Sequence, residues 1–103
     1  MDVLKVSIII PTTNNLEYLK ICLKSLKNNS KYLHEIILHV NDGSDGTLEF
    51  LKKKNYIFTQ TKNIIGLCSA TNKAAKCSTT NYILYSHDDM YFCPGWDVTL
   101  KKE

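Results

Sequence analysis

The sequence contains no arginine. All 13 basic residues among its 103 are lysines, and the formal net charge is +3. Proteins that read DNA sequence depend heavily on bidentate arginine–guanine contacts, so the composition argues against that class. The one dense lysine run, residues 52–54, is typical of a solvated helix face rather than a polyanion site. We therefore expect no nucleic-acid partner.

Long apolar runs are also missing. The longest, residues 6–10, includes a serine and has the length of a strand, far short of the roughly 20 residues that span a bilayer. Asp2 and Lys5 precede it, and this arrangement does not fit a secretory signal. The sequence predicts a cytoplasmic protein, with a place at the inner face of the membrane left open.

Cysteines are few and scattered. The four contain no Cys-x-x-Cys pair, which disfavours both a structural zinc site and a disulfide scaffold. Cys22, Cys68 and Cys77 fall within helix-like patterns. We expect them to pack there as small apolar side chains.

Strand-like and helix-like segments alternate along the whole chain. The predicted strands are residues 3–10, 35–40, 56–59 and 81–86, and the predicted helices are about 16–27, 47–54 and 67–77. Pro11 is expected to end the first strand, and Asn14 with Glu17 has the form of a helix capping box. The order predicts one α/β domain over residues 1–103, Rossmann-like with a mostly parallel sheet. Residues 96–100 begin an element that the chain does not finish, so we expect a fold that is incomplete at its C-terminus.

Polar residues follow three of the predicted strands, at residues 12–15, 41–45 and 87–89. In open α/β sheets, ligands bind at the carboxyl ends of the strands. Asp88 and Asp89 are adjacent there, and two such charges about 4 Å apart repel by ~1 kcal/mol even in water. A bound Mg²⁺ or Mn²⁺ would relieve that repulsion. A solvated turn is the alternative interpretation.

The loop at residues 41–47 contains two glycines and opens onto a predicted helix, whose first amides can receive an anion or a base edge. An ionised Asp42 only accepts hydrogen bonds, so it would select a ring N–H such as that of uracil or thymine. The alternative is a tight turn in which Ser44 or Asp45 caps the helix. Neither the GxxxxGK[ST] nor the GxGxxG phosphate motif is present.

Four segments in this order, residues 7–15, 40–47, 66–75 and 82–96, together resemble the N-terminal half of family 2 glycosyltransferases with the GT-A fold. The resemblance implies an enzyme domain that binds a nucleoside-diphosphate sugar, UDP- or dTDP-linked. It further implies inverting transfer of the sugar to an acceptor that is a glycan, a lipid or a protein.

The resemblance also assigns roles to individual residues. The nucleotide contacts fall on Pro11, Thr12, Asn14, Asp42 and Asp88, and the metal, Mn²⁺ or Mg²⁺, falls on Asp89. Within this set, Asp42 would read a base N–H and Asp88 would contact the ribose. Asp89, at the end of a DXD-like motif, would bind the metal together with the diphosphate.

The chain departs from the family pattern at four positions. Thr13 replaces a common aromatic, Asn41 the first acid of a DDGS-like turn, Thr71 an arginine, and Ser86 the first acid of the metal motif. These changes leave the identity of the nucleotide open. Those at Thr13, Thr71 and Ser86 favour the alternative of a non-catalytic or degenerate nucleotide-binding module. A flavodoxin-like domain would need a flavin phosphate loop or a phospho-acceptor Asp with a matching Lys, and neither is found.

No catalytic base can be named from the sequence. Asp97 is the only later aspartate, and we expect it on the surface beside the Trp96 turn. We therefore expect the isolated chain to transfer little or no sugar.

The remaining expectations concern association and the histidines. An exposed apolar edge of the sheet suggests a homodimer. His39 is predicted to be a packed imidazole, whereas His87 could touch a phosphate or the metal.

Overall fold

Parallel strands alternate with helices in the computed structural model, which describes residues 6–80 and 82–98. The elements are β1 (Val6–Thr13), α1 (Leu16–Asn29), β2 (Glu35–Asn41), α2 (Thr47–Lys53), β3 (Ile57–Thr61), α3 (Leu67–Ala75) and β4 (Tyr82–Tyr85). The predicted order and α/β class are confirmed. The predicted strand residues 3–5 and Asn81, and the last residues of the predicted final element, lie outside the described part of the chain.

The sheet has the order β3-β2-β1-β4, and each neighbouring pair is parallel. Successive residues of β1 face opposite sides of the sheet: Ile8 and Ile10 pack in the cluster that contains the apolar residues of α1. Ile9 packs on the other side with Ile37 and Ala74 of α3. Helices thus cover both faces of the central strands, which explains why β1 is almost continuously apolar.

Pro11 does not end β1, contrary to the prediction. The strand continues to Thr13, which pairs with Asn41 of β2. On the other side, pairing with β4 ends at Ile9, whose carbonyl accepts the Ser86 N–H at 2.9 Å. The nitrogen of Pro11 faces that same side, beyond the end of β4, so the missing N–H breaks no ladder bond. As a result, β1 carries Thr12 to the edge of the sheet.

The predicted capping box at the start of α1 is wrong. Asn15, not Asn14, is the N-cap residue, and its side chain makes no capping hydrogen bond. Asp45 from the β2–α2 loop instead accepts the Leu16 N–H at 3.1 Å. The same carboxylate accepts the Thr47 N–H at the start of α2. The Thr47 hydroxyl also donates to this carboxylate. Burial opposes ionisation, but the bond from this hydroxyl and those from the two backbone N–H groups outweigh it and lower the pKa of Asp45.

The small side chains of α3 allow the helix to approach the sheet closely. Ala70 and Ala74 are fully buried, and Cys22 of α1 is likewise a buried free thiol, as predicted. Cys77 is exposed, because α3 ends at Ala75 and the chain turns away before the cysteine. Its predicted packing is therefore wrong, and the side chain of Cys68 lies outside the described part of the structure.

Asp97 is buried, with no exposed surface, instead of lying on the surface as predicted. Its carboxylate accepts the backbone N–H groups of Lys31 and Tyr32 at 2.9 and 2.7 Å. His34 Nε2 lies 2.9 Å away, and Trp96 donates its indole N–H to Ser30 at 2.9 Å. These contacts tie the segment after β4 to the α1–β2 connection. Asp97 is thus a structural residue and not a candidate base.

Among the described residues, no helix has both the length and the apolar character needed to cross a bilayer.

Candidate functional site

Three loops meet at the carboxyl edge of the sheet, where β1, β2 and β4 end. The pairing of β1 with both β2 and β4 places their ends side by side. Thr12, Asp42 and Asp88 all lie at or just after these ends. Such an edge is where α/β sheets bind ligands, so the three polar segments of the sequence belong to one surface.

Asp88 is held by hydrogen bonds to both of its carboxylate oxygens. Thr12 is only 2% exposed, and its hydroxyl donates to Oδ2 at 2.7 Å. Asn15 donates its side-chain amide to Oδ1 at 3.2 Å. The carboxylate is therefore fixed in one orientation, half-buried, with lone pairs left to accept further bonds. Sequence reasoning overlooked Asn15, because nothing in the polar run 12–15 distinguishes it from its neighbours.

Asp42 is joined to the β1–α1 loop in the same way. Asn14 donates its side-chain amide to Asp42 Oδ2 at 2.8 Å, and Ser44 donates its hydroxyl to the same oxygen at 3.1 Å. Both Asn14 and Asp42 adopt positive φ, 46° and 68° respectively, which Asn and Asp tolerate better than most side chains. No hydrogen bond from the described residues reaches Oδ1, which is left to accept a ligand donor.

Asp89 differs from its neighbour because it is exposed and, within residues 6–80 and 82–98, has no hydrogen-bond or ion-pair partner. His87 is exposed as well, and its Nδ1 lies 3.3 Å from the Tyr85 hydroxyl. Across the described part of the chain, no three His, Cys, Asp or Glu side chains come together as a metal site. A cation at Asp89 would therefore need ligands from a bound nucleotide or from water.

Ser86 and Cys22 lie beneath this rim. Ser86 is buried and donates its hydroxyl to the His87 carbonyl at 3.0 Å. The thiol of Cys22 lies 3.8 Å from the same carbonyl. Burial, together with the negative charge of Asp88, raises the pKa of Cys22 to about 11. The thiol therefore stays protonated at neutral pH and is not a nucleophile.

A cleft of about 400 Å³ opens at this edge, a size typical of small-molecule sites. Its lining consists of Pro11, Thr12, Thr13, Asn15, Asn41, Ile64, Ile65, His87 and Asp88. Of the six predicted site residues, Pro11, Thr12 and Asp88 line the cleft. The other three, Asn14, Asp42 and Asp89, are sequence neighbours of lining residues. Sequence reasoning did not single out Ile64 and Ile65, since isoleucines in a loop carry no chemical signature.

A second cleft of about 240 Å³ lies at the opposite, amino end of the strands, between the end of α1 and the start of β2. Its lining includes Lys27, Lys31 and His34 but no carboxylate. The edge with the acidic residues is therefore the better candidate for a nucleotide and metal site.

Comparison with known proteins gives matches in both sequence and structure. Residues 7–100 match the sequence profile described as "Glycosyl transferase family 2". The crystal structure of S. aureus TarS 1-349 superimposes with a TM-score of 0.79 at 25% identity, covering 96% of this chain and 31% of that one.

The complexes of TarS 1-349 with UDP-GlcNAc and with UDP give TM-scores of 0.77 and 0.78, each at 25% identity and each covering 96% of this chain and 30% of the TarS 1-349 chain. The chain thus spans about a third of the length of these structures. No curated protein gives a significant match.

Proposed function

The chain belongs to glycosyl transferase family 2, and on that basis we propose that it binds a nucleoside-diphosphate sugar as the donor half of an inverting glycosyltransferase. The donor is UDP- or dTDP-linked, and the acceptor is a glycan, a lipid or a protein. Structural neighbours that bind UDP-GlcNAc and UDP support the choice of donor class. The cytoplasmic location predicted from the sequence stays part of this proposal.

The observation that carries the proposal is the pair of hydrogen bonds that joins three separate loops. Thr12 binds Asp88 at 2.7 Å, and Asn14 binds Asp42 at 2.8 Å. The protein's own side chains thereby hold the acceptor groups of Asp42 and Asp88 at one rim. Such preorganisation reduces the ordering cost of binding.

Each acidic residue has a distinct role in this proposal. Asp42 accepts the ring N–H of uracil or thymine through Oδ1, while Pro11, Thr12 and Asn14 surround the base. Asp88 accepts the ribose hydroxyl groups, because its two oxygens are already oriented by Thr12 and Asn15. A carboxylate that accepts from a sugar hydroxyl forms a charge-assisted hydrogen bond, stronger than a neutral one.

The metal role falls on Asp89, the carboxylate that the fold leaves exposed. Oxygen ligands of this kind suit Mg²⁺ or Mn²⁺. When bound, such an ion stabilises the departing nucleoside diphosphate as a Lewis acid. The contribution of the chain itself is one hard anionic ligand beside the ribose site.

A degenerate module that binds nucleotide without transfer is the second candidate. It is favoured by Ser86, a buried hydroxyl bonded to the neighbouring carbonyl where the family pattern has an acid, and by Thr13, which offers no ring to the base. Both changes would weaken donor binding while leaving the fold intact.

Calorimetric titration with UDP, with and without Mn²⁺, tests the proposal and separates the two candidates. In the presence of Mn²⁺, we expect Asp89→Asn to lower UDP affinity by at least about tenfold, because it removes the charged metal ligand. Glu49→Gln, which neutralises an exposed carboxylate on α2, should leave the affinity unchanged.

UDP binding that is insensitive to both EDTA and Asp89→Asn would indicate the degenerate module. A wild-type chain that binds no UDP would refute the donor site altogether. With UDP-GlcNAc, we expect binding with little or no release of UDP, because Asp97, the only aspartate after the acidic pair, is buried and hydrogen-bonded within the fold.

A further inference from the structure

An exposed isoleucine forms part of the wall of the nucleotide cleft. Ile64 lies in the loop between β3 and α3 and is 68% exposed. Ile65, which follows it, also lines the cleft. Among the described residues, Ile21, Ile57 and Ile83 are similarly exposed, but none of them lines this cleft. The cleft therefore has an aliphatic wall as well as an acidic one.

The loop that carries Ile64 is anchored by Asn41. Its Oδ1 accepts the Ile65 N–H at 3.2 Å and the Thr61 hydroxyl at 3.0 Å. Because a backbone N–H can only donate, the first contact also identifies which side-chain atom of Asn41 is the oxygen. Asn41 is only 5% exposed, so this anchor lies beneath the cleft surface.

A buried histidine supports the anchor from behind. The Thr61 hydroxyl donates to Asn41, so it accepts from His39 Nε2, 3.1 Å away. Nδ1 of His39 then accepts from the Thr59 hydroxyl at 2.7 Å. Burial lowers the pKa of His39, and the neutral ring completes an unbroken series of hydrogen bonds from β3 to the Ile65 amide.

A pyrimidine base needs an acceptor for its ring N–H and an apolar surface for its face. Asp42 is the proposed acceptor, and Asn41, the anchor of the isoleucine loop, is its immediate neighbour on the same strand end. Thr13, on another wall of the cleft, provides no ring. Besides Pro11, the cleft therefore offers an aliphatic surface on the loop that Asn41 holds.

We propose that Ile64 supplies the apolar surface against which the pyrimidine base packs, and that Asn41 is the positioning residue that holds it there. This inference rests on the proposed function, because it presupposes that the cleft binds UDP. It assigns base recognition partly to the β3–α3 loop, beyond the residues that the family resemblance indicated.

Calorimetry with UDP and saturation-transfer NMR from protein methyl groups to UDP together test this inference. We expect Ile64→Ala to lower UDP affinity about five- to tenfold, the amount expected for losing the apolar contact area of one side chain. Saturation transfer to the uracil H5 and H6 protons should fall relative to transfer to the ribose protons. Ile64→Phe keeps an apolar side chain and should retain both the UDP affinity and the saturation transfer to the uracil protons.

Ile57→Ala is the matched control, because Ile57 is 49% exposed at the opposite end of β3. It should leave UDP affinity and saturation transfer unchanged. If the Ile64→Ala and Ile57→Ala variants bind UDP equally well, or if the uracil signal survives Ile64→Ala, the inference is overturned while the donor site stands. A wild-type chain that does not bind UDP overturns both.

Asn41→Ala tests the positioning role. We expect it to reduce the uracil signal as Ile64→Ala does, and the double variant to lose no more affinity than either single variant, because both remove one interaction. Asn41→Asp keeps an acceptor oxygen and should restore the uracil signal. If the losses of UDP affinity add fully in the double variant, or if the uracil and ribose signals of Asn41→Ala fall equally, positioning by Asn41 is contradicted.

Discussion

Asp97 and Asp89 show how surroundings decide what a carboxylate does. Asp97 is wholly buried, and its oxygens accept two backbone N–H groups beside His34. Asp89 is exposed and has no hydrogen-bond partner among the described residues. A buried carboxylate with its bonds complete stabilises the fold, whereas an exposed one is available to a ligand. The sequence could not separate these roles, because the donors to Asp97 lie more than 60 residues away.

Asp97→Asn should destabilise the protein by about 2–4 kcal/mol at pH 7, since the amide nitrogen cannot accept the N–H bonds that the carboxylate accepts. Urea denaturation measures the loss. Glu49→Gln on the exposed face of α2 is the control and should change stability by less than about 0.5 kcal/mol.

The stability that Asp97→Asn removes should also depend on pH in a defined direction. Burial opposes ionisation of Asp97, but the hydrogen bonds outweigh it and hold its pKa below the ordinary 3.8. The stabilisation is therefore fully present above the unfolded-state pKa and disappears as the pH falls through the lower, folded-state value. Wild type and the Asp97→Asn variant should converge in acid. An undiminished gap at low pH would show that ionisation of Asp97 contributes nothing.

At the scale of elements, the β2–α2 loop depends on backbone conformations that few residues adopt. Gly43 has φ of 81°, and a Cβ there would lie 2.6 Å from Val40 Cγ1 and 2.9 Å from Leu48 Cγ. Gly95 has a similar φ of 77°, but a Cβ there would meet no atom of the described residues within 4 Å. Substitution at Gly95 therefore measures the conformational strain of positive φ alone, whereas substitution at Gly43 adds a steric clash.

Gly43→Ala should cost about 3 kcal/mol or more, because alanine meets both the positive φ and the clash with Val40 and Leu48. Gly95→Ala should cost only about 1–2 kcal/mol, which is the strain of the left-handed conformation alone. Chemical denaturation of both variants provides the comparison. Equal losses would show that the β2–α2 loop moves to admit the Cβ, and that its shape is less fixed than the contacts indicate.

Element order was predictable from the sequence, whereas element ends were not. The apolar strand runs and the helical spacing of Leu19, Leu23 and Leu26 are local patterns, and the burial of these leucines follows from them. The end of β1 depends on where β4 stops beside it, and the cap of α1 comes from Asp45 in another loop. Such details depend on tertiary contacts with residues distant in sequence, and local sequence patterns carry no information about them.

At the scale of the whole molecule, parallel topology creates the candidate site. Strand ends that are distant in sequence meet at one edge, so the sequence indicated which loops would converge. It did not indicate that Thr12 and Asn15 would bind Asp88, or that Ile64 would line the cleft. Those contacts depend on loop conformation, including the positive φ of Asn14 and Asp42, which no spacing of residue types encodes.

The same topology leaves β4 at the edge of the described sheet. Tyr82, Ile83 and Tyr85 on this strand are 63%, 53% and 37% exposed. An edge strand with exposed apolar side chains favours pairing with another strand, and a second copy of the chain offers the same edge. We therefore predict a concentration-dependent homodimer that joins two β4 edges.

Ile83→Lys should weaken the homodimer by about tenfold or more, because a two-fold interface would bring the two introduced charges together in a desolvated contact. Sedimentation velocity over a range of concentrations measures the effect. Ile21→Lys, at a position 55% exposed on α1, adds the same charge away from the edge and should leave association unchanged. A wild-type chain that stays monomeric, or equal weakening by both substitutions, would exclude β4 as the dimer contact.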